Sequence, residues 1–272
     1  MQYFGFLRRL VACAMLAMLA TNAKAETNRF SFDEYLLVPL RVHLLLAKES
    51  PAIHTTLTEK DITRILGKMN GVWSQAGFHF YLESLVHEEA EHQQDYAEHG
   101  KLGERMGLLA LRPEASRAQG LFHIYYLKEL SMNGIYFPEA IFVKDTASLR
   151  KVEGGIDEPL PRVSSHELGH AFGLPHRQNT TNLMASGTTG TWLNQDEIKR
   201  AREAVRKLEW IEAAPEMLKR ADALFRAKKK NEAAELYSRL ATIPLEVEEV
   251  RRAGERGRMK VEGRRQNREG KH

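Results

Sequence analysis

Apolar and polar positions alternate with a period that changes along the chain, and each change predicts an element. "YLLVPLRVHLLL" (Tyr35–Leu46) is a near-continuous apolar run of strand length and predicts a buried strand. Ile62, Ile65, Leu66, Met69 and Trp73 then recur at helical spacing behind Thr58, a good N-cap, and Gly77 marks the stop. "FHFYLESLV" (Phe78–Val86) and "LFHIYYLKEL" (Leu121–Leu130) are rich in aromatic and branched residues and predict two more strands, with a shorter one at Ala140–Ala147. Asn194, with Glu197 three residues on, predicts a capped helix over "NQDEIKRAREAVRKLEWI". "APEMLKRADALFRAKKKNEAAELYSRLATIP" predicts a helical hairpin broken near Lys230 and Asn231.

One stretch, "HELGHAFGLPHRQNTTNLM" (His166–Met184), does not reduce to packing. Residues four apart on a helix share a face, with Cβ atoms roughly 5–6 Å apart, so His166 and His170 can hold one metal ion. Glu167 lies about 100° further round, out of line as a ligand but within reach of a water beside the ion. Gly173 offers the positive φ that ends a helix, and Pro175 cannot continue it. The chain can therefore double back and bring His176 to the same ion. Three neutral imidazoles with one open position is the arrangement of catalytic zinc, and the carboxylate beside it suits a general base. Pro159 and Pro161 place the helix start near Arg162; a capping box from Ser164 to Glu167 is the competing reading.

The pattern His166-Glu167-x-x-His170-x-x-Gly173-x-x-His176, followed by Met184, resembles the metzincin clan of zinc metallopeptidases. The resemblance spans roughly residues 35–210 in element order, and its motif-level part is 166–184. It implies an α+β fold: a mixed, twisted sheet with long helices, a zinc helix, a methionine turn and a closing helix. It also implies one zinc ion per chain on His166, His170 and His176, Glu167 as general base, and Met184 as an apolar floor beneath the ligands. An edge strand that pairs with extended peptide would lie in "NGIYFPEAIFV", which makes Asn133, Gly134 and Ile141 candidate substrate contacts. The link after the turn, Thr188 to Trp192, would wall the pocket for the first primed side chain, with packing under the last helix as the other role for Trp192. Some members carry a tyrosine just after the methionine; this chain has Ala185-Ser186-Gly187, which leaves a second oxyanion donor unassigned. The hairpin resembles a single tetratricopeptide unit, with Ala221, Phe225, Ala233 and Tyr237 at packing positions. One unit cannot form a solenoid, so it is expected to pack against the catalytic part.

The chain has 272 residues, 43% of them hydrophobic, enough for one sizeable domain and an appendage. "MQYFGFLRR", a short apolar run and "AKA" before Glu26 read as an export signal, placing the mature chain in the periplasm or outside the cell. The single cysteine, Cys13, falls within that segment, so no disulfide, thiolate ligand or inhibitory cysteine is expected in the mature chain. Few residues separate Glu26 from the first strand, and activity without a maturation step is expected. Net charge is +4, but residues 251–272 carry nine Lys and Arg against three Glu. That basic, glycine-containing tail reads as solvated and disordered, capable of weak contact with an anionic cell surface, and nothing in it suggests nucleic-acid binding. His87–His99 mixes histidines and acids at no metal spacing and reads as a solvated acidic loop or helix; His43, His79 and His123 lie within predicted strands and read as packed or hydrogen-bonded residues. The expected organisation is an export segment (1–25), a catalytic domain (26–212), a helical hairpin (213–245) and a basic tail (246–272). The function expected is zinc-dependent hydrolysis of peptide or protein substrates. The alternatives are a non-proteolytic zinc protein that binds through its hairpin, and a hydrolase of a non-peptide amide.

Overall fold

The computed structural model describes residues 30–98 and 105–257, so the expected export segment and the end of the basic tail lie outside the described residues. Strand β1 (Leu36–Leu46) is the spine of a mixed sheet. It pairs in parallel with β2 (Phe78–Glu89) on one side and β3 (Phe122–Leu127) on the other. Beyond β3, the parallel β5 (Ala140–Lys144) and then the antiparallel β4 (Gly134–Phe137) complete the order β2-β1-β3-β5-β4, with the short β6 (Glu212–Ala213) against the start of β1. The continuous apolar run of β1 has a direct cause: parallel strands in the middle of a sheet are covered on both faces. Leu36, Val38, Leu40, Val42 and Leu44 point into the larger core, shared with helices α1 (Glu59–Trp73) and α4 (Pro159–Ala171). Leu37 and Leu45 face the other way into two smaller cores.

On the front face, α1 starts as its sequence predicts. Thr58 accepts a hydrogen bond from Asp61 N, and the Asp61 carboxylate reciprocates at the Thr58 backbone. Trp73 closes the helix against Phe78 and Phe172 at ring-centroid distances of 5.5 and 5.0 Å, which ties α1 and β2 to the end of α4. Gly77, at φ +65°, then turns the chain into β2.

The back face carries two covers. Over the end of β1, α2 (Gln93–Glu98) and α3 (Arg105–Ala110) bring Tyr96 and Leu108 onto Leu45, Tyr125 and Phe142. Over its start, α6 (Ala214–Arg226) and α7 (Lys230–Leu240) pack Ala221, Ala233 and Tyr237 against Tyr35 and Leu37, while Phe225 stays only partly buried. Helix α5 (Gln195–Val205), capped by Asn194 with Glu197, instead buries Ile198, Ala201 and Val205 in the larger front core.

Three local expectations change. β2 runs on to Glu89, because its parallel register with β1 continues to the pair Leu46–Glu89; within the acidic stretch, residues 87–89 are therefore strand and 93–98 helix. Helix α4 begins at Pro159 rather than near Arg162, since proline is tolerated in a first turn whose N–H groups have no partner. The chain from 246 is not disordered throughout: residues 248–257 are helical, and Val250 and Ala253 are buried against the hairpin. Apolar residues three apart and Arg256, which reaches Asp222 at 2.5 Å and Tyr237 Oη at 2.7 Å, account for that docking.

Candidate metal centre

Helix α4 delivers His166 and His170 one turn apart on one face. The helix then ends in a Schellman turn: Gly173 N donates to His170 O and Leu174 N to Gly169 O, each at 2.9 Å, with Gly173 at φ +79°. This turn sends the chain back and brings His176 alongside. It also sets the tautomer of its own ligand, because His170 Nδ1 lies 2.8 Å from the Leu174 carbonyl. His166 Nδ1 is likewise 2.8 Å from the Leu183 carbonyl. An Nδ1–H that donates to a carbonyl leaves the Nε2 lone pair free to ligate.

His170 Nε2 and His176 Nε2 stand 3.1 Å apart, and one nitrogen from each of the three rings lies within 4.8 Å of the others. Two nitrogens bound tetrahedrally to one zinc ion at about 2.0–2.1 Å would be about 3.3 Å apart, so the donor set fits zinc. Burial, with Arg162 nearby, pushes His166 down to about 3, and burial lowers His170 as well. Rings held neutral in this way are competent ligands. This triad is the one such metal-capable cluster among the described residues.

Glu167 projects into the same cleft of about 590 Å³, lined also by Asn133, Gly134, Tyr136, Leu149, Arg162 and Gly187. It is the sole carboxylate in the lining. Burial pushes its carboxyl up to about 8, with Arg162 opposing the shift. Gly134 makes room for it: a Cβ there would stand 2.9 Å from Glu167 Oε1 and 2.6 Å from Val163 Cγ1. Ser164 makes no cap; it is buried inside the helix, its Oγ 2.8 Å from Tyr126 Oη on β3.

Beneath the ligands, Met184 is fully buried, and its Sδ would lie 2.4 Å from a Cβ at Gly169. The helix thus needs its mid-helical glycine to sit on this floor. The turn carrying Met184 is fixed from three directions. Asn182 Oδ1 accepts from Met184 N at 2.7 Å, and Asn182 Nδ2 donates to Glu197 Oε2 at 2.8 Å. Glu197, 1% exposed, also takes Arg177 Nε at 2.5 Å and so serves at once as helix cap and turn anchor. Arg162 reaches across from α4 to the carbonyls of Gly190, Asn182 and Ala185.

The structure brings His166, Glu167, His170 and His176 together with Asn133 and Gly134 at one cleft, with Gly173 and Met184 in the supporting turns. Ile141 it does not bring: the residue is 1% exposed on the inner strand β5, since the free edge belongs to β4. Trp192 lies outside the cleft lining and is 53% exposed. Its backbone instead pairs with Thr181 and Leu183, bracing the methionine turn. Arg162, Gly169 and the Asn182–Glu197 link went unread in the sequence. An arginine one turn before His166 and a glycine between the two helical histidines were the available signals.

No protein-family model matches the chain, and no curated protein matches it. Among solved structures it is similar to archaemetzincin (amzA) from Methanopyrus kandleri, with 14% identity and a TM-score of 0.43 over 62% of this chain and 96% of that one. It is also similar to metalloproteinase-II from Bacteroides fragilis (15%, TM-score 0.39, 62% of this chain and 53% of that one). A third is a zinc-dependent peptidase from Methanocorpusculum labreanum (11%, TM-score 0.29, 60% and 92%). These likenesses are distant, and the chemistry of the centre stands on its own residues: three convergent imidazoles with one buried carboxylate beside them.

Proposed function

We propose that the chain is a zinc-dependent endopeptidase that hydrolyses peptide bonds in an extended substrate lying along β4. The observation that carries this reading is the convergence of His166, His170 and His176 on one point at an open cleft whose sole lining carboxylate is Glu167. The three imidazoles would hold the ion, which would supply Lewis acidity towards water and towards the scissile carbonyl. Glu167 takes the proton of the attacking water as its oxygen bonds to the carbonyl carbon, then gives that proton to the amine nitrogen as the C–N bond breaks. Leu174 and Leu183 carbonyls keep two ligand rings oriented, and Met184 supports the helix from below. Structural zinc has four protein ligands as a rule; three at a cleft favour catalysis.

The metzincin likeness of the motif supports the assignment of Met184 and of the β4 edge. We also propose export, with a mature chain from about Glu26, on the strength of the charged, apolar and small-residue order at the N-terminus. Incubation of the purified mature protein with a denatured protein mixture, with and without a chelator, tests the reading. Internal cleavage products identified by mass spectrometry that vanish with chelator are expected. An intact mixture in both arms, with zinc shown to be bound, would overturn it.

A further inference from the structure

Arg162 has a feature that the hydrolytic chemistry does not use. Its side chain is 2% exposed, yet it lines the cleft. Nε and Nη2 donate to the carbonyls of Gly190, Asn182 and Ala185, while Nη1 has no partner among the described residues. No carboxylate forms an ion pair with it among those residues either. Glu167 acts on this guanidinium electrostatically without forming an ion pair, and a buried cation held mainly by neutral carbonyls is stabilised when a further anion arrives. Arg162 stands one helical turn before His166 on the same face, so the distance from its Cβ to that of the ligand is roughly 6 Å. A side chain adjoining the scissile bond spans that gap. The cleft lining also includes Val163, Leu149, Ser186 and Gly187, and holds no acid except Glu167.

We infer, building on the peptidase reading, that Arg162 makes the cleft selective for a substrate carboxylate next to the cleaved bond. With Nε and Nη2 held by carbonyls, the two hydrogens on Nη1 remain to give an anion charge-assisted hydrogen bonds. That carboxylate belongs to an Asp or Glu side chain or to a free peptide C-terminus, and Arg162 is the specificity-determining residue for it.

The test uses the mature zinc-loaded protein and peptides that differ only at the two residues flanking the bond, as Glu, Gln or Leu, each with a free and an amidated C-terminus. A kcat/KM about tenfold or more higher for Glu than for Gln is expected, a charge-assisted bond against a neutral one. Preference that follows the side chain, or only the free C-terminus, identifies the source. Arg162→Met should bring the ratio near one; because Arg162 also holds the methionine turn, the wild-type ratio stands as evidence by itself. Cleavage without a carboxylate preference overturns the inference and leaves the peptidase reading intact. Binding of N-acetylglutamate methylamide and of its glutamine counterpart to the same protein, followed by NMR titration, provides a readout independent of turnover. Tighter binding of the carboxylate that is lost in Arg162→Met supports the inference even if no peptide is cut; equal binding of the two, or a preference that survives Arg162→Met, overturns it.

Discussion

The two faces of the sheet hold similar side chains and do different things with them. On the front, His166, His170 and His176 meet beside Glu167. On the back, His43 and His123 meet beside Glu88. There His43 Nδ1 lies 2.5 Å from Glu88 Oε1, His43 Nε2 lies 2.8 Å from His123 Nδ1, and His123 Nε2 lies 2.8 Å from the Ala118 carbonyl. Tyr125 stacks on the His43 ring at 4.0 Å, and Ser116 Oγ donates to Glu88. Every ring nitrogen of the back pair is spent on a protein partner. In the front triad, carbonyls take the Nδ1 protons of His166 and His170, and the opposite nitrogens are left pointing at one another across a cleft. Composition does not separate a site from a core network; the direction of the unused lone pairs does.

The largest effect is expected at the front. Glu167→Ala should lower the rate of peptide hydrolysis by about 10²–10⁴-fold while zinc content stays that of the wild type, because the residue handles a proton and not the ion. Turnover with metal analysis on the same sample decides it, and unchanged turnover removes Glu167 from the chemistry.

A comparable substitution at the back should have the opposite profile. His43→Phe keeps the stack on Tyr125 but takes one buried hydrogen bond from each of Glu88 and His123, and should destabilise the fold by about 1–3 kcal/mol in urea denaturation. Zinc content and kcat should be unaffected. Loss of metal in this variant would mean that the two faces are not independent.

Acid should also weaken the protein through the back face. Burial lowers His79 from 6.5 to about 4, and its Nε2 lies 3.0 Å from Thr242 Oγ1 at the end of the hairpin. Between those two values the unfolded chain binds a proton that the folded one refuses, so stability is full above 6.5 and falls as pH drops towards 4. The loss from this one group is about 2 kcal/mol by pH 5. His79→Gln should flatten that slope in denaturation curves measured from pH 7.5 to 5; an unchanged slope would show that His79 does not contribute.

The smallest effect tests the floor of the centre. Gly169→Ala gains up to about 1 kcal/mol of helix propensity, but its Cβ overlaps Met184, and overpacking costs about 1–3 kcal/mol. A net loss of about 1 kcal/mol, with weaker zinc retention, is expected from thermal unfolding and chelator titration. A more stable variant would mean that Met184 moves aside freely.

The same contrast explains what could be read from the sequence. Elements with a strong local pattern, such as β1 with its unbroken apolar run or α1 behind Thr58, are stated by their own residues. So is the metal motif, since ligand spacing on one helix and one turn is a local property. Ile141 and Trp192 depended on which strand became the sheet edge and where a loop lay relative to the cleft, and long-range pairing decides both. Arg162 escaped for a related reason: its three carbonyl partners come from residues 182–190, and nothing near it in sequence announces them. The docked helix at 248–257 was hidden by the charge of the tail, although Val250 and Ala253 carried its packing stripe.

The most direct test of the account is metal analysis of the mature protein beside its His176→Ala variant, both purified without added chelator. About one zinc per chain in the wild type is expected, with near-complete loss in the variant and an unchanged far-UV spectrum. Full zinc retention without His176, or a folded wild type that binds none, would contradict the three-histidine centre on which the proposed function rests.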